Sequence, residues 1–415
     1  MRRGLLLILL LSFLTACEKI EDQATPTPNQ EAGQMAQTLF APSTDIPATL
    51  TPGPGDATPA NALEVELHRL VARLENAMLD GDYDTFMSYL APRDPVFVAD
   101  YSAWARDWQE NPLRYVDLTV FNIQEVSPTE ATARFTLLWS LAGQQGEGSS
   151  GGTTISAIFY KEGDQWLLGG ENWHTFDAEN VRFYYFSDAM VENQPQADDV
   201  AEYLADVYFG VTREFNYTPE KMAHIKLYES GPMLQSMTRI SIPLITEWNQ
   251  PGESIKIILG PENTAPRETY IGQQYTRFVL YAMSGDQPAH YPWWVAEGTV
   301  QYGGARFNTL SQRNRTIKNV AAVAVSTEED GPRLYDWQAL MQPPQADTPE
   351  LAQLALDQAF TMIHYITTTY GQEARNAWLQ AIASGTPLDE ATESELGVKL
   401  ADLQTQWHAW LLQQL

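Results

Sequence analysis

Cys17 is the only cysteine among 415 residues, so no intramolecular disulfide can form and every folded part of the chain must be held by packing. The side chains for that are present: a hydrophobic content of 44% with 12 Trp and 19 Tyr is enough for sizeable cores. The cysteine closes the first apolar stretch. Arg2 and Arg3 form a short basic start, residues 5–14 are apolar except for Ser12, and Thr15 and Ala16 bring small side chains up to Cys17. That run is about half of the ~20 residues needed to span a bilayer, so it reads as the apolar region of a signal peptide. No later apolar stretch approaches membrane-spanning length.

Leu14-Thr15-Ala16-Cys17 resembles the lipobox of bacterial lipoproteins, Leu-x-(Ala/Gly)-Cys. The resemblance implies removal of residues 1–16, diacylation of Cys17, and a lipid anchor that leaves the protein on the extracytoplasmic side of the cell membrane. Two or three acyl chains, at ~0.8 kcal/mol per buried CH2, are sufficient for stable anchoring.

The net charge is -28, from 25 basic and 53 acidic residues. Such a surface repels phosphate backbones, which excludes nucleic acid as a partner, and the acidity is spread along the chain as a solvated surface would have it. Residues 17–61 are rich in Pro, Thr and Gly, as in Thr25-Pro26-Thr27-Pro28 and Thr51-Pro52-Gly53-Pro54-Gly55, and are expected to form a disordered tether. The remaining length suggests two domains, 62–190 and 198–415, with a polar break near 188–199 around Glu192-Asn193-Gln194-Pro195-Gln196.

In the first part, Leu63, Leu67, Leu70, Leu74, Ala77 and Met78 recur at helical spacing, which predicts an amphipathic helix over 62–80 ended by Gly81-Asp82. A short second helix is expected over 83–90. Strands follow over 115–126, 130–141, 153–161 and 165–173, with Glu162-Gly163-Asp164 as a tight turn. Helices followed by antiparallel strands give an α+β class. The order resembles the nuclear-transport-factor-2-like (SnoaL-like) fold, carried by Asn76-Ala77-Met78-Leu79-Asp80-Gly81-Asp82-Tyr83 and by Gly163-Asp164-Gln165-Trp166-Leu167-Leu168. The resemblance implies a cone-shaped curved sheet around a pocket. Trp104, Trp108, Trp139, Trp173 and His174 are candidates for its lining, although core packing is the commoner fate of such aromatics. No reaction is assigned to this part.

In the second part, a helix is expected over 200–215 and strands over 222–228 and 254–259. Further helices are expected over 270–283, 293–302, 349–370, 372–384 and 399–414, with Gly371 and Gly385 at helix ends. Gly272-Gln273-Gln274-Tyr275-Thr276-Arg277-Phe278-Val279-Leu280 and Trp293-Trp294-Val295-Ala296-Glu297-Gly298-Thr299-Val300-Gln301-Tyr302 together resemble the active-site helices of gluzincin metallopeptidases, in the peptidase MA-like group. The segments around Asp357-Gln358-Ala359-Phe360, Tyr370-Gly371, Trp378 and 401–412 extend the likeness. It implies a mostly helical domain with a small N-terminal sheet.

In that family two His at i and i+4 bind zinc from one helical face, a Glu beside the first takes a proton from the metal-bound water, and a Glu on the next helix completes the set. Position by position, Gln273 stands for the first His, Gln274 for the general base and Arg277 for the second His, while Glu297 keeps the third ligand. Gln274 has no basic site, and Arg277 is a permanent cation where a dication would sit. These four are therefore degenerate active-site positions, with no catalytic residue, cofactor or metal expected, and Arg277 is expected to pair with Glu297 in place of the metal. His224, His290 and His364 are too scattered to rebuild a site.

The leading expectation is a membrane-anchored protein, tethered by Cys17, whose inactive peptidase-like cleft binds a peptide, a glycan or an envelope protein. The Tyr291-Pro292-Trp293-Trp294 segment is either a contact surface for such a ligand or core. The alternative is an active hydrolase with non-standard residues, drawing on Glu297 and on Tyr275 or Tyr302. A purely structural envelope component is a third reading.

Overall fold

A computed structural model describes residues 61–415 apart from 145, 147, 187–189, 259–265, 286–290 and 328–330. The signal segment, Cys17, the expected tether up to residue 60, and His290 lie outside the described residues. The described part begins with α1 (Ala62–Asp80), capped by the Asn61 side chain, which accepts from the Leu63 N–H at 3.2 Å. All six apolar positions of the expected helical stripe are buried, joined by Val71. Two more helices follow, α2 (Tyr83–Ser88) and α3 (Pro95–Glu110).

The strands β1 (Leu113–Ser127), β2 (Glu130–Leu141), β3 (Ser150–Glu162) and β4 (Gln165–Glu171) form an antiparallel sheet in sequential order. Along β2 every second residue is buried, as expected of a strand with one face on the core. The α1 helix packs on this sheet, and Glu75 accepts from the Leu118 N–H at 2.9 Å.

The expected strand over 165–173 divides at Asn172. Beyond it, β5 (Trp173–Ala178) and β6 (Val181–Phe186) leave the first sheet and start a second one. The polar stretch at 188–199 is largely helical, inside α4 (Met190–Phe215), which crosses over to β7 (Ala223–Tyr228). Next come α5 (Gly231–Thr238), β8 (Glu247–Trp248) and β9 (Ile255–Ile258), completing a five-stranded mixed sheet in the order β5-β6-β7-β9-β8. The small sheet expected inside 198–415 therefore takes two of its strands from before residue 187. The remainder is helical: α6 (Arg267–Met283), α7 (Trp293–Ala305), α8 (Leu310–Val325), α9 (Pro349–Tyr370), α10 (Gln372–Ala383), α11 (Leu388–Leu396) and α12 (Leu400–Leu411). The architecture is α+β, sheet-rich first and mostly helical after. No helix among the described residues is long and apolar enough to cross a membrane.

Three of the candidate pocket aromatics are core. Trp104, Trp108 and Trp139 are buried, Phe86 packs edge-on against Trp108 at 5.4 Å between centroids, and the indoles of Trp104 and Trp139 both donate to Ser236 on α5. His174 is exposed and stacks on Tyr185. Trp173 lines a cavity.

A buried ionic knot ties the α3 helix to the second sheet. Asp100 accepts from Lys226 Nζ on β7 at 2.7 Å and from Lys256 Nζ on β9 at 3.1 Å, while Ser254 donates its N–H at 2.9 Å and its hydroxyl at 2.6 Å. All three charged side chains are almost fully enclosed. Burial alone would raise the Asp100 pKa, but the two ammonium groups override it and hold the carboxyl well below its usual range. Lys226 is shifted the other way: burial opposes its charge, and Asp100 more than offsets that. Removing one partner from such a group strands the other charges, at a typical cost of ~3–5 kcal/mol. Asp100→Ala should therefore lower the unfolding free energy by about that amount in denaturant titration. Because the native pKa is depressed, the stability Asp100 contributes is complete above about pH 4 and lost as pH falls below it, so Asp100→Asn should flatten the acid limb of the stability profile.

Candidate functional site

The α6 and α7 helices cross at unusually short range because their facing positions are glycines. A Cβ on Gly304 would lie 2.3 Å from Gln273 Cγ and 2.7 Å from the Thr269 carbonyl oxygen, and one on Gly303 would strike Thr276. Any larger side chain would force the helices apart, and with them the polar groups between them. On the other flank of α7, Gly298 meets the backbone of Ala359 on α9 in the same way.

This contact brings Gln273, Gln274, Arg277 and Glu297 to one cleft of about 700 Å3. Arg277 and Glu297 face each other across it in a bidentate pair, with Nη1 to Oε1 at 2.6 Å and Nη2 to Oε2 at 2.9 Å. Burial works against the guanidinium, but the hydrogen bonds and charge of Glu297 outweigh it and push the Arg277 pKa up, so the cation persists at any ordinary pH. One residue before the general-base position, Gln273 donates to Gln301 Oε1 at 2.8 Å. Gln301 stands one helical turn beyond Glu297, so two polar pairs run side by side between the helices.

Gln274 is satisfied at both ends of its amide. Its Nε2 donates to Glu247 Oε2 on β8 at 2.7 Å, and its Oε1 accepts from Asn249 Nδ2 at 3.1 Å. The neutral amide is what this position requires, since a second carboxylate there would confront Glu247 directly. Tyr270 is also held neutral: burial first, then the negative Glu247, push its pKa far up. Asp357 lines the same cleft, where burial raises its pKa and Gln353 donates to it at 2.8 Å.

Residues 248–413 match the family model of the Peptidase MA superfamily. A peptidase MA-like domain is present. It spans β9 and the helices α6 to α12, and so contains Gln273, Gln274, Arg277 and Glu297 together with their partners Gln301 and Asn249, while Glu247 lies just before it. No curated protein matches the chain.

Within the peptidase MA-like domain the residues do not fit a zinc ion. Of the four ligand and base positions, the one carboxylate is already chelated by a guanidinium, two are carboxamides, and the fourth is that guanidinium itself. Among the described residues no group of three or more His, Cys, Asp or Glu side chains converges anywhere as a metal cage. His224 hydrogen-bonds Tyr184 at 2.7 Å, and His364 stacks on Phe360 and meets Trp410 at a tilt.

The tyrosines considered as substitute catalytic groups are elsewhere. Tyr275 is wholly buried beside Tyr208, and Tyr302 packs on Phe360 and under the Arg375 guanidinium. Trp294 is core, against Trp337 and Trp378, whereas Tyr291 and Trp293 line a smaller cavity of about 320 Å3. Arg277 and Glu297 line both spaces, so their pair forms a partition between them. Sequence reasoning missed Glu247 and Gln301. Gln301 was within reach as the residue four beyond Glu297 on the same helix, but Glu247 comes from a two-residue strand with no local signal.

Two outcomes follow. Arg277→Met and Glu297→Leu should each destabilise the domain, by up to ~3–5 kcal/mol, with the double variant recovering much of the loss in a denaturation cycle. Should both single variants melt like the wild type, the pair has no structural role. Gln274→Glu should lower the melting temperature at neutral pH, and the loss should shrink on acidification as Glu247 and the new carboxyl share a proton.

Proposed function

We propose that this chain is a lipid-anchored extracytoplasmic protein whose peptidase MA-like domain is catalytically inactive and binds a peptide segment without cutting it. The observation that carries the reading is the bidentate Arg277–Glu297 pair standing where a hydrolytic metal centre would be assembled. A general base is missing too, because Gln274 cannot take a proton from water and is committed to Glu247 and Asn249.

What is left is a cleft walled by carboxamides, with Gln273, Gln274, Gln301, Gln312, Gln353 and Asn308 among its lining. An amide donates and accepts with the geometry of a peptide bond, so such walls suit a main chain and offer nothing to activate water. The anchor is read from Leu14-Thr15-Ala16-Cys17, and the first sheet with its three helices is read as a nuclear-transport-factor-2-like module that supports the cleft domain.

Purified full-length protein should contain no stoichiometric zinc by elemental analysis and should release no fragments from a mixed peptide library followed by mass spectrometry. Members of the same library should bind, and Gln273→Ala with Gln301→Ala should weaken them. Stoichiometric zinc or sustained turnover abolished by Glu297→Gln would overturn the inactive reading.

A further inference from the structure

Two charges lining the cleft among α6, α7, α8 and α9 are left uncommitted by the protein itself. Arg313 on α8 and Asp357 on α9 both belong to its wall, and both are half-buried. Other guanidinium groups of the domain are taken up: Arg277 pairs with Glu297, and Arg306 and Arg375 both pair with Glu214. Arg313 has no such partner among the described residues. The local sequence offers none, since residues 298–327 contain no acid although the chain carries a net charge of -28. Its Nε is enclosed, whereas Nη1 and Nη2 are neither enclosed nor hydrogen-bonded, so the charged tip is open to the cleft.

Asp357 is the complementary case. Gln353 donates to its Oδ1, while Oδ2 has no partner among the described residues and is not enclosed. Burial raises the Asp357 pKa, with the Gln353 amide working against it. The wall also offers neutral groups of both kinds. Gln273 donates to Gln301 through Nε2 and keeps its Oε1 open, and Gln301 keeps its Nε2 open, so an acceptor and a donor suited to a peptide bond stand on the same wall.

Opposite charges that share a cleft and do not pair with each other call for a dipolar occupant. A ligand with a single charge would satisfy one of them and leave the other facing it unpaired. The spacing suggests the size. The Arg313 charge reaches His364, whose pKa burial and then that guanidinium push down. His364 stands two helical turns beyond Asp357 on α9, which is about 10 Å at ~1.5 Å per residue. An extended chain of about three residues has that length. Resting on the peptide-binding reading of the cleft, we propose that its ligand is a short peptide with both ends free, Arg313 taking the terminal carboxylate and Asp357 the terminal ammonium.

The test starts from a mixed tripeptide library passed over the full chain, the tripeptide retained best then being titrated calorimetrically. It should bind with one-to-one stoichiometry. Acetylating its amino end or amidating its carboxyl end should each weaken binding about tenfold, as loss of a charged hydrogen bond does. In Arg313→Gln the amide should cause no further loss, and in Asp357→Asn the acetyl group should cause none, each variant remaining sensitive to the other cap. The capped peptides need no variant, so the proposal stays falsifiable if either substitution impairs folding. It is overturned if the doubly capped tripeptide, or a doubly capped form with Glu at its centre, binds as tightly as the free one, or if both variants respond to both caps as the wild type does. Tight binding of capped peptides would leave the peptide-binding reading standing and remove this one, whereas no binding of any peptide would remove both.

Discussion

Asp100 is the point on which the two halves of the molecule depend. A single carboxylate on α3 neutralises two ammonium groups from adjacent strands, Lys226 and Lys256, which are direct partners in the parallel register of β7 and β9. Without it, two buried cations would face each other across one strand spacing, an arrangement no hydrophobic core tolerates. Ser254 and Glu253 complete the shell, Glu253 reaching Lys256 at 3.2 Å and Arg239 at 2.6 Å. Apolar packing could have joined the halves with less electrostatic cost. An ionic joint differs in being directional: it fixes which residue of α3 meets which strand, and so sets the position of β8 beside α6.

The cleft shows the same logic on a smaller scale. A metal in that place would draw two helices together by charge. Arg277 and Glu297 do so with one hydrogen-bonded pair, and Gln273 with Gln301 adds a neutral one. The glycines on α7 belong to this arrangement, because short amide and guanidinium contacts across the interface require the backbones to lie nearly in touch. Within the peptidase MA-like domain these two pairs act as a polar clasp between α6 and α7.

The legible parts of the chain were those with a strong period. Helices α1, α6, α9 and α10 were evident because apolar residues return every three or four positions, whereas α7 and the Arg277–Glu297 pair were expected from the resemblance to the gluzincin active-site helices. Elements without that signal were not. Strands β5 and β6 were missed because β5 is almost wholly exposed and shows no alternation. The α8 helix buries only Ile317, Val320 and Ala321 and reads as polar sequence. The α3 helix had its signal in Asp94-Pro95, an N-cap followed by a proline in the first turn, with Phe97, Tyr101, Trp104 and Trp108 on one face. Nothing local reveals that Asp100 on that helix is meant for two lysines more than a hundred residues away, since long-range ionic partners leave no trace in spacing.

The way the second sheet is assembled has a bearing on how the chain must be made. Strand β6 pairs in parallel with β7, and the long α4 helix separates them in sequence. As the polypeptide emerges from its N-terminal end, the hairpin of β5 and β6 is complete while one edge of it still has nothing to bond. Asp100 waits in the same interval with neither of its lysines yet synthesised. The early half therefore spends part of its biogenesis as an open edge beside an acid whose partners are still to come, which is the stage at which a holding chaperone would find the most to protect.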